Sequence, residues 1–151
     1  MSAASGQGSM VFEGVTPILR VQSLEASILH YTSVLGFKID WQTPYFASVS
    51  RNRCCIFLSL GDQGHTGGWV WVGVSDADAL LEEYRRTGAK IRHKPTNYQW
   101  AYEMQVEDPD GNVLRFGSEA KSDQPIGEWL DMRGDRWVTS NGNKWTRVEP
   151  A

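Results

Sequence analysis

The chain has 151 residues, 40% of them hydrophobic and 11% aromatic, with seven tryptophans, which is material for one globular domain or for two small lobes sharing a core. Its 15 basic and 18 acidic residues are interspersed and leave a net charge of -3, so no basic patch argues for nucleic acid or an acidic membrane as partner. No apolar run of about 18 residues appears, and Met1 to Ser9 lacks the basic and then apolar regions of a secretory signal, so the expectation is a cytoplasmic protein whose residues 1–12 are disordered.

In chain order, Val15 to Val21 reads as a strand. Ser23 is placed to cap a helix whose apolar positions Leu24, Ile28, Tyr31 and Leu35 follow helical spacing and which ends at Gly36. Phe37 to Trp41, Phe46 to Val49 and Cys54 to Leu60 read as three further strands, the last two joined by the polar turn Ser50-Arg51-Asn52-Arg53. The only cysteines, Cys54 and Cys55, are neighbours on one strand, so they point to opposite faces and cannot readily pair; with no CxxC spacing for zinc, they read as core thiols.

The same β-α-β-β-β order returns about 53 residues later, the period of a duplicated module. Val21 matches Val74, Ser23 matches Asp76, Tyr31 matches Tyr84, and Gly36-Phe37-Lys38-Ile39 matches Gly88-Ala89-Lys90-Ile91 after a one-residue deletion. The second module opens on Gly67-Gly68-Trp69-Val70-Trp71-Val72-Gly73. Alternation puts Val70 and Val72 on a core face and Trp69 and Trp71 on the other, where two rings flanked by glycines suit a flat ligand as well as ordinary packing. After the second helix come strands at Lys90 to His93, Ala101 to Val106 and Val113 to Phe116, the last pair joined by the turn Asp108-Pro109-Asp110-Gly111-Asn112. The expected organisation is 13–64 and 65–118 as modules and 119–151 as an ordered extension carrying Trp129, Trp137 and Trp145, with a hairpin signal at Asn141-Gly142.

The two modules, the helix segment Ser23-Leu24-Glu25-Ala26-Ser27 running into His30-Tyr31 and Leu35-Gly36-Phe37, and the ending Glu107-Asp108-Pro109-Asp110-Gly111-Asn112 together resemble the vicinal oxygen chelate superfamily of glyoxalases, bleomycin resistance proteins and dioxygenases. The resemblance implies an α+β fold in which two tandem β-α-β-β-β modules form a cupped mixed β-sheet with helices on the outer face. It does not by itself imply an activity. In the superfamily's enzymes a divalent metal is held by His, Glu or Gln on the first and last strands of each module; here those positions fall on Thr16, Phe57, Trp69 and Arg115. Trp and Phe offer no electron pair, an Arg is cationic, and a lone Thr hydroxyl is a poor ligand, so no metal, no cofactor and no catalytic residue is expected.

Trp69-Val70-Trp71-Val72, Trp100-Ala101-Tyr102-Glu103-Met104 and Cys55-Ile56-Phe57 are closest to the bleomycin resistance branch. That branch implies a homodimer that sequesters an aromatic, cationic antibiotic in an intersubunit groove without transforming it. By position Trp41 and Trp100 are the stacking pair, with Phe46, Ser48, Phe57, Trp69, Trp71, Glu103 and Arg115 along the groove, and Asp40 and Glu103 as acidic groups for a cationic tail. Arg115 paired with Glu103 as an ordinary buried ion pair is an equally good reading. The alternatives are an enzyme of the same superfamily acting on a small metabolite and a binding module for a metabolite. Among residues that an enzyme would use, His30 reads as a surface residue, His65 lies in the glycine-rich linker, and His93 shares the face of Ile91 without a visible partner. Ser48 and Ser59 lack a histidine partner, and Gly67-Gly68 lacks the Lys-Ser/Thr of a phosphate loop.

Overall fold

The computed structural model describes residues 8–150. Most of the expected disordered start, residues 1–7, lies outside the described residues. The first module consists of β1 (Ile18–Val21), α1 (Leu24–Leu29) continuing as a wider π turn over His30–Val34, β2 (Lys38–Gln42), β3 (Phe46–Arg51) and β4 (Cys54–Leu60). The second repeats this with β5 (Trp69–Gly73), α2 (Ala77–Thr87), β6 (Lys90–Asn97), β7 (Tyr102–Glu107) and β8 (Val113–Ser118). Short strands β9 (Trp129–Leu130), β10 (Arg136–Val138) and β11 (Thr146–Arg147) form a small antiparallel sheet in the extension.

The modules give two four-stranded mixed sheets, ordered β1-β4-β3-β2 and β5-β8-β7-β6, each with one parallel pair made by the strand that precedes the helix. The caps read from the sequence are present in both modules. Ser23 Oγ accepts from Ala26 N at 3.1 Å and Asp76 Oδ1 from Ala79 N at 3.0 Å, each satisfying a backbone donor that a helix start leaves free. Gly36 and Gly88 end the helices at φ 79 and 84, in the left-handed region that glycine enters without steric cost.

One apolar core serves both modules: Leu19, Val21, Ala47, Val49, Ile56 and Leu58 come from the first sheet, Val72, Met104, Val106, Leu114 and Phe116 from the second, and Leu24, Tyr31, Leu80 and Tyr84 from the helices. The seam is polar at its edges. Arg51 donates to both oxygens of Glu83 at 2.7 and 2.8 Å, and Tyr31 Oη donates to Asp108 Oδ2 at 2.9 Å. Because the aliphatic face of each sheet lines this common core, the opposite face of each points away from it. No helix among the described residues is long and apolar enough to cross a membrane.

Three expectations change in detail. The first strand begins at Ile18, with Val15 and Thr16 exposed before it. His93 does not share the face of Ile91: Ile91 pairs with Val106 but His93 with Gln105, and the bulge between them reverses the alternation. His30 is half-buried rather than on the surface, and its Nε2 is buried without a hydrogen-bond partner among the described residues.

Candidate ligand-binding site

On the first sheet, strand alternation that sends Ala47, Val49, Ile56 and Leu58 into the core sends Phe46, Ser48, Cys55 and Phe57 to the open face. Cys55 is therefore not a core thiol; its Sγ lies 3.2 Å from Ser48 Oγ, while Cys54 packs against the core. Trp41 on edge strand β2 stacks on Phe46, with ring centroids 5.9 Å apart and planes 14° from parallel. Phe57 meets Trp41 at 5.8 Å and Phe46 at 5.4 Å. The three rings form one aromatic patch. Trp41 keeps 48% of its surface exposed, so a large ring face remains open.

Beside the patch, Asp40 accepts from Ser50 at 2.8 Å, Ser48 at 3.0 Å and Lys38 at 3.3 Å. These bonds, Ser50 first, hold its carboxyl below the usual carboxylate range. It remains accessible at the sheet edge and offers negative charge to a ligand.

On the second sheet Trp69 and Trp71 leave β5 on the face opposite the core, as the alternation predicts. Trp71 lies across the backbone of β8, where a Cβ on Gly117 would come within 2.6 Å of its ring; the missing side chain there is what lets the indole lie flat. Glu103 and Arg115 rise from neighbouring strands. Arg115 Nε and Nη2 donate to the two Glu103 oxygens at 2.8 and 2.9 Å, and Trp100 Nε1 also donates to that carboxylate. The ion pair weighed from the sequence is present. Glu103 is 1% exposed and triply held, so the cationic tail expected at Glu103 has no free acid there; Asp40 alone of the two is accessible.

Trp100 stacks on Tyr98, centroids 4.8 Å apart and planes 4° from parallel, and keeps 48% exposure. The structure thus places Trp41, Phe46, Ser48 and Phe57 together on one sheet and Trp69, Trp71, Trp100, Glu103 and Arg115 together on the other. It does not bring Trp41 and Trp100 together within one chain.

The sequence reading missed how the extension meets this second face. Arg92 stands over the Trp69 ring at 5.1 Å and donates to Gln105 and to the carbonyls of Leu130 and Asp131, fastening β9 to the sheet. Asn97 donates to the carbonyls of Lys121 and Gln124 at 2.8 and 3.0 Å, and Tyr98 Oη donates to that of Glu128 at 2.5 Å. Trp129 then covers Arg115, whose guanidinium lies 4.9 Å over its ring. Nothing local in the sequence marks Arg92, Asn97 or Tyr98, because each acts on backbone carbonyls more than 20 residues away.

The four positions where relatives could hold a metal do not fit one. Thr16 is exposed ahead of β1, Phe57 belongs to the aromatic patch, Trp69 lies between Arg92 and Trp129, and Arg115 would set a guanidinium against the cation. His93, half-buried, has its pKa lowered by burial, and its Nδ1 is engaged with the Lys94 carbonyl at 3.0 Å and the Thr96 hydroxyl at 3.2 Å.

The fold is shared with solved structures. The bleomycin-binding protein of bleomycin-producing Streptomyces verticillus, solved with copper(II)-bleomycin, superposes with a TM-score of 0.65 at 26% identity, over 73% of this chain and 98% of the other. A second bleomycin-binding protein solved with bleomycin gives 0.63 at 18% identity, over 72% and 99%. A glyoxalase/bleomycin resistance protein/dioxygenase from Nocardioides gives 0.59 at 22%, over 80% and 92%. No curated protein matches the chain in sequence. Residues 13–116 match the model of the Glyoxalase/Bleomycin resistance protein/Dioxygenase superfamily, more than half of the chain, and the chain belongs to that superfamily.

Proposed function

We propose that the protein binds and sequesters a flat, aromatic, cationic antibiotic of the bleomycin type without transforming it. The observation that carries this reading is the pair of exposed aromatic surfaces, Trp41 with Phe46 and Phe57 on one sheet and Trp71 and Trp100 on the other, without a donor set suited to a metal at the superfamily's ligand positions. Each aromatic pair made with a flat ring contributes about 0.5 to 1.5 kcal/mol beyond area burial. The cationic part of the ligand meets Asp40 beside the first patch. Likeness to two bleomycin-binding proteins supports the ligand class.

Since the two faces point away from a common core, one chain cannot close a ligand between them. A homodimer that sets the first face of one chain against the second face of its partner closes two equivalent grooves. Trp41 of one chain and Trp100 of the other then flank the drug.

Incubating equimolar protein and bleomycin, separating bound from free drug by dialysis and weighing the released drug by mass spectrometry tests the reading. Retention of about one unaltered drug molecule per chain is expected. A product of changed mass contradicts sequestration and moves the protein among the superfamily's enzymes.

A further inference from the structure

The extension lies beyond the superfamily match, which ends at residue 116, and it brings three tryptophans onto the open face of the second sheet. Trp129, Trp137 and Trp145 gather around Trp100 and Arg115 and line a shallow, open cleft of about 440 Å³. We propose that this cleft, built within one chain and sharing Trp100 with the intersubunit groove, takes a planar aromatic ring that carries an anionic or acceptor group at its edge. The proposal rests on reading these aromatic faces as ligand surfaces, but not on the identity of any drug.

The planar preference follows from ring geometry. Trp100 is covered on one face by Tyr98, and its other face is open to the cleft. Trp129 stands edge-on to Trp100 at 74° and Trp145 is tilted at 46°, with centroids 6.1 and 6.3 Å away. Both rings also flank Tyr98, at 5.7 and 6.4 Å, so they border the Tyr98-Trp100 stack, and a flat ring laid on Trp100 extends that stack in the offset arrangement aromatic pairs favour.

The charge preference follows from the ion pair. Arg115 is the one charged residue lining the cleft, and its side chain is 25% exposed while its partner Glu103 is 1% exposed. Its Nε and Nη2 are used by Glu103, and Nη1 has no partner among the described residues. An incoming group meets the guanidinium edge before the carboxylate, which favours an acceptor and repels a cation. The nearby Asp131 is turned elsewhere: it accepts from Trp137 Nε1 and from the backbone N–H of Arg133 and Asp135, each at 2.9 Å.

The segment that leads into the cleft is anchored to the second sheet. Asn97 and Tyr98, 6% and 2% exposed, fix residues 121–128 to β6 and the turn after it, and Gly127 passes so close to Thr96 that a Cβ would come within 2.3 Å of its methyl.

The test is an NMR titration of the full-length protein, following its seven tryptophan indole N–H signals, assigned by single Trp→Phe substitutions, with 2-naphthoate, with 2-naphthylmethylammonium and with the non-planar cyclohexanecarboxylate. Saturable shifts of Trp100, Trp129, Trp137 and Trp145 with 2-naphthoate, while Trp41 stays in place, are expected. Affinity should fall about tenfold in Trp145→Ala and fall likewise for the other two probes. Gly127→Ala, which touches no lining residue, should weaken binding by displacing the extension, and unchanged spectra for the rest of the chain separate this from unfolding. Absence of saturable shifts, shifts centred on Trp41, or tighter binding of the ammonium probe overturns the proposal. Both ligands use the one open face of Trp100, and Trp41 separates them: bleomycin held as proposed shifts Trp41 with Trp100, whereas 2-naphthoate shifts Trp100 with the extension tryptophans and leaves Trp41 in place, so the failure of either proposal is read separately.

Discussion

Arg115 grips Glu103 through two near-parallel hydrogen bonds of 2.8 and 2.9 Å, and burial makes the two partners unequal: the Glu103 side chain is 1% exposed and that of Arg115 25%. Removing the guanidinium leaves a buried carboxylate with Trp100 as its remaining donor, whereas removing the charge of the carboxylate leaves a guanidinium that water can reach. Arg115→Met should therefore cost about 3 kcal/mol and Glu103→Gln distinctly less, measured as urea unfolding midpoints. Equal losses would show that the asymmetry of burial does not govern the pair.

The second module's turn is tied to the first module through Asp108 and Asp110. Asp108 accepts from Tyr31 Oη, from the backbone N–H of Asp110 and from both the backbone and side chain of Asn112, while Asp110 accepts from Gln22 N and Ser27 Oγ. Tyr31→Phe removes one buried bond without opening space and should cost about 1 to 2 kcal/mol. A larger loss in thermal unfolding would mean that the hydroxyl positions the whole seam.

Acid sensitivity should trace to the other seam. The hydrogen bonds from Arg51 hold the Glu83 carboxyl below its ordinary value of 4.5. A depressed carboxylate contributes stability that is present above its unfolded value and is lost as pH falls through the folded one. Stability should thus decline below about pH 4.5, and Arg51→Gln should flatten that decline while lowering stability at neutral pH. Solvent reaches about a third of each side chain, so the effect is small. A pH–stability curve of unchanged shape in the variant would contradict the assignment.

Exposed rings on both outward faces, with Trp41 at 48% and Trp71 at 49%, make the proposed dimer a matter of sedimentation. A species of twice the 17.0 kDa chain mass is expected, shifting to the monomer in Trp41→Glu. A wild-type monomer at high concentration would leave the groove without its second wall.

Much of the fold was legible because its signals are local. Ser23 and Asp76 announce their helices, Gly36 and Gly88 end them, and Val70 and Val72 sort Trp69 and Trp71 onto the open face by alternation alone. The hairpin at Asn141-Gly142 was equally visible, and Trp137 pairs with Arg147 across it. What escaped was non-local. A bulge between Ile91 and His93 inverts a face that strict alternation assigns, and no residue at the bulge signals it. Arg92, Asn97 and Tyr98 hold the extension through backbone carbonyls that carry no sequence signature. Cys55 reads as a core thiol because thiols usually are buried, yet its neighbours Ile56 and Leu58 already occupy that face.

The most direct test of the proposed sequestration is a fluorescence titration of the metal-free protein with bleomycin, repeated in Trp41→Ala and Trp100→Ala. Saturable quenching at about one drug per chain, weakened strongly in both variants, is the result predicted. Absence of quenching in the wild type, or full binding in both variants, would contradict the proposal that the two open aromatic faces hold the ligand.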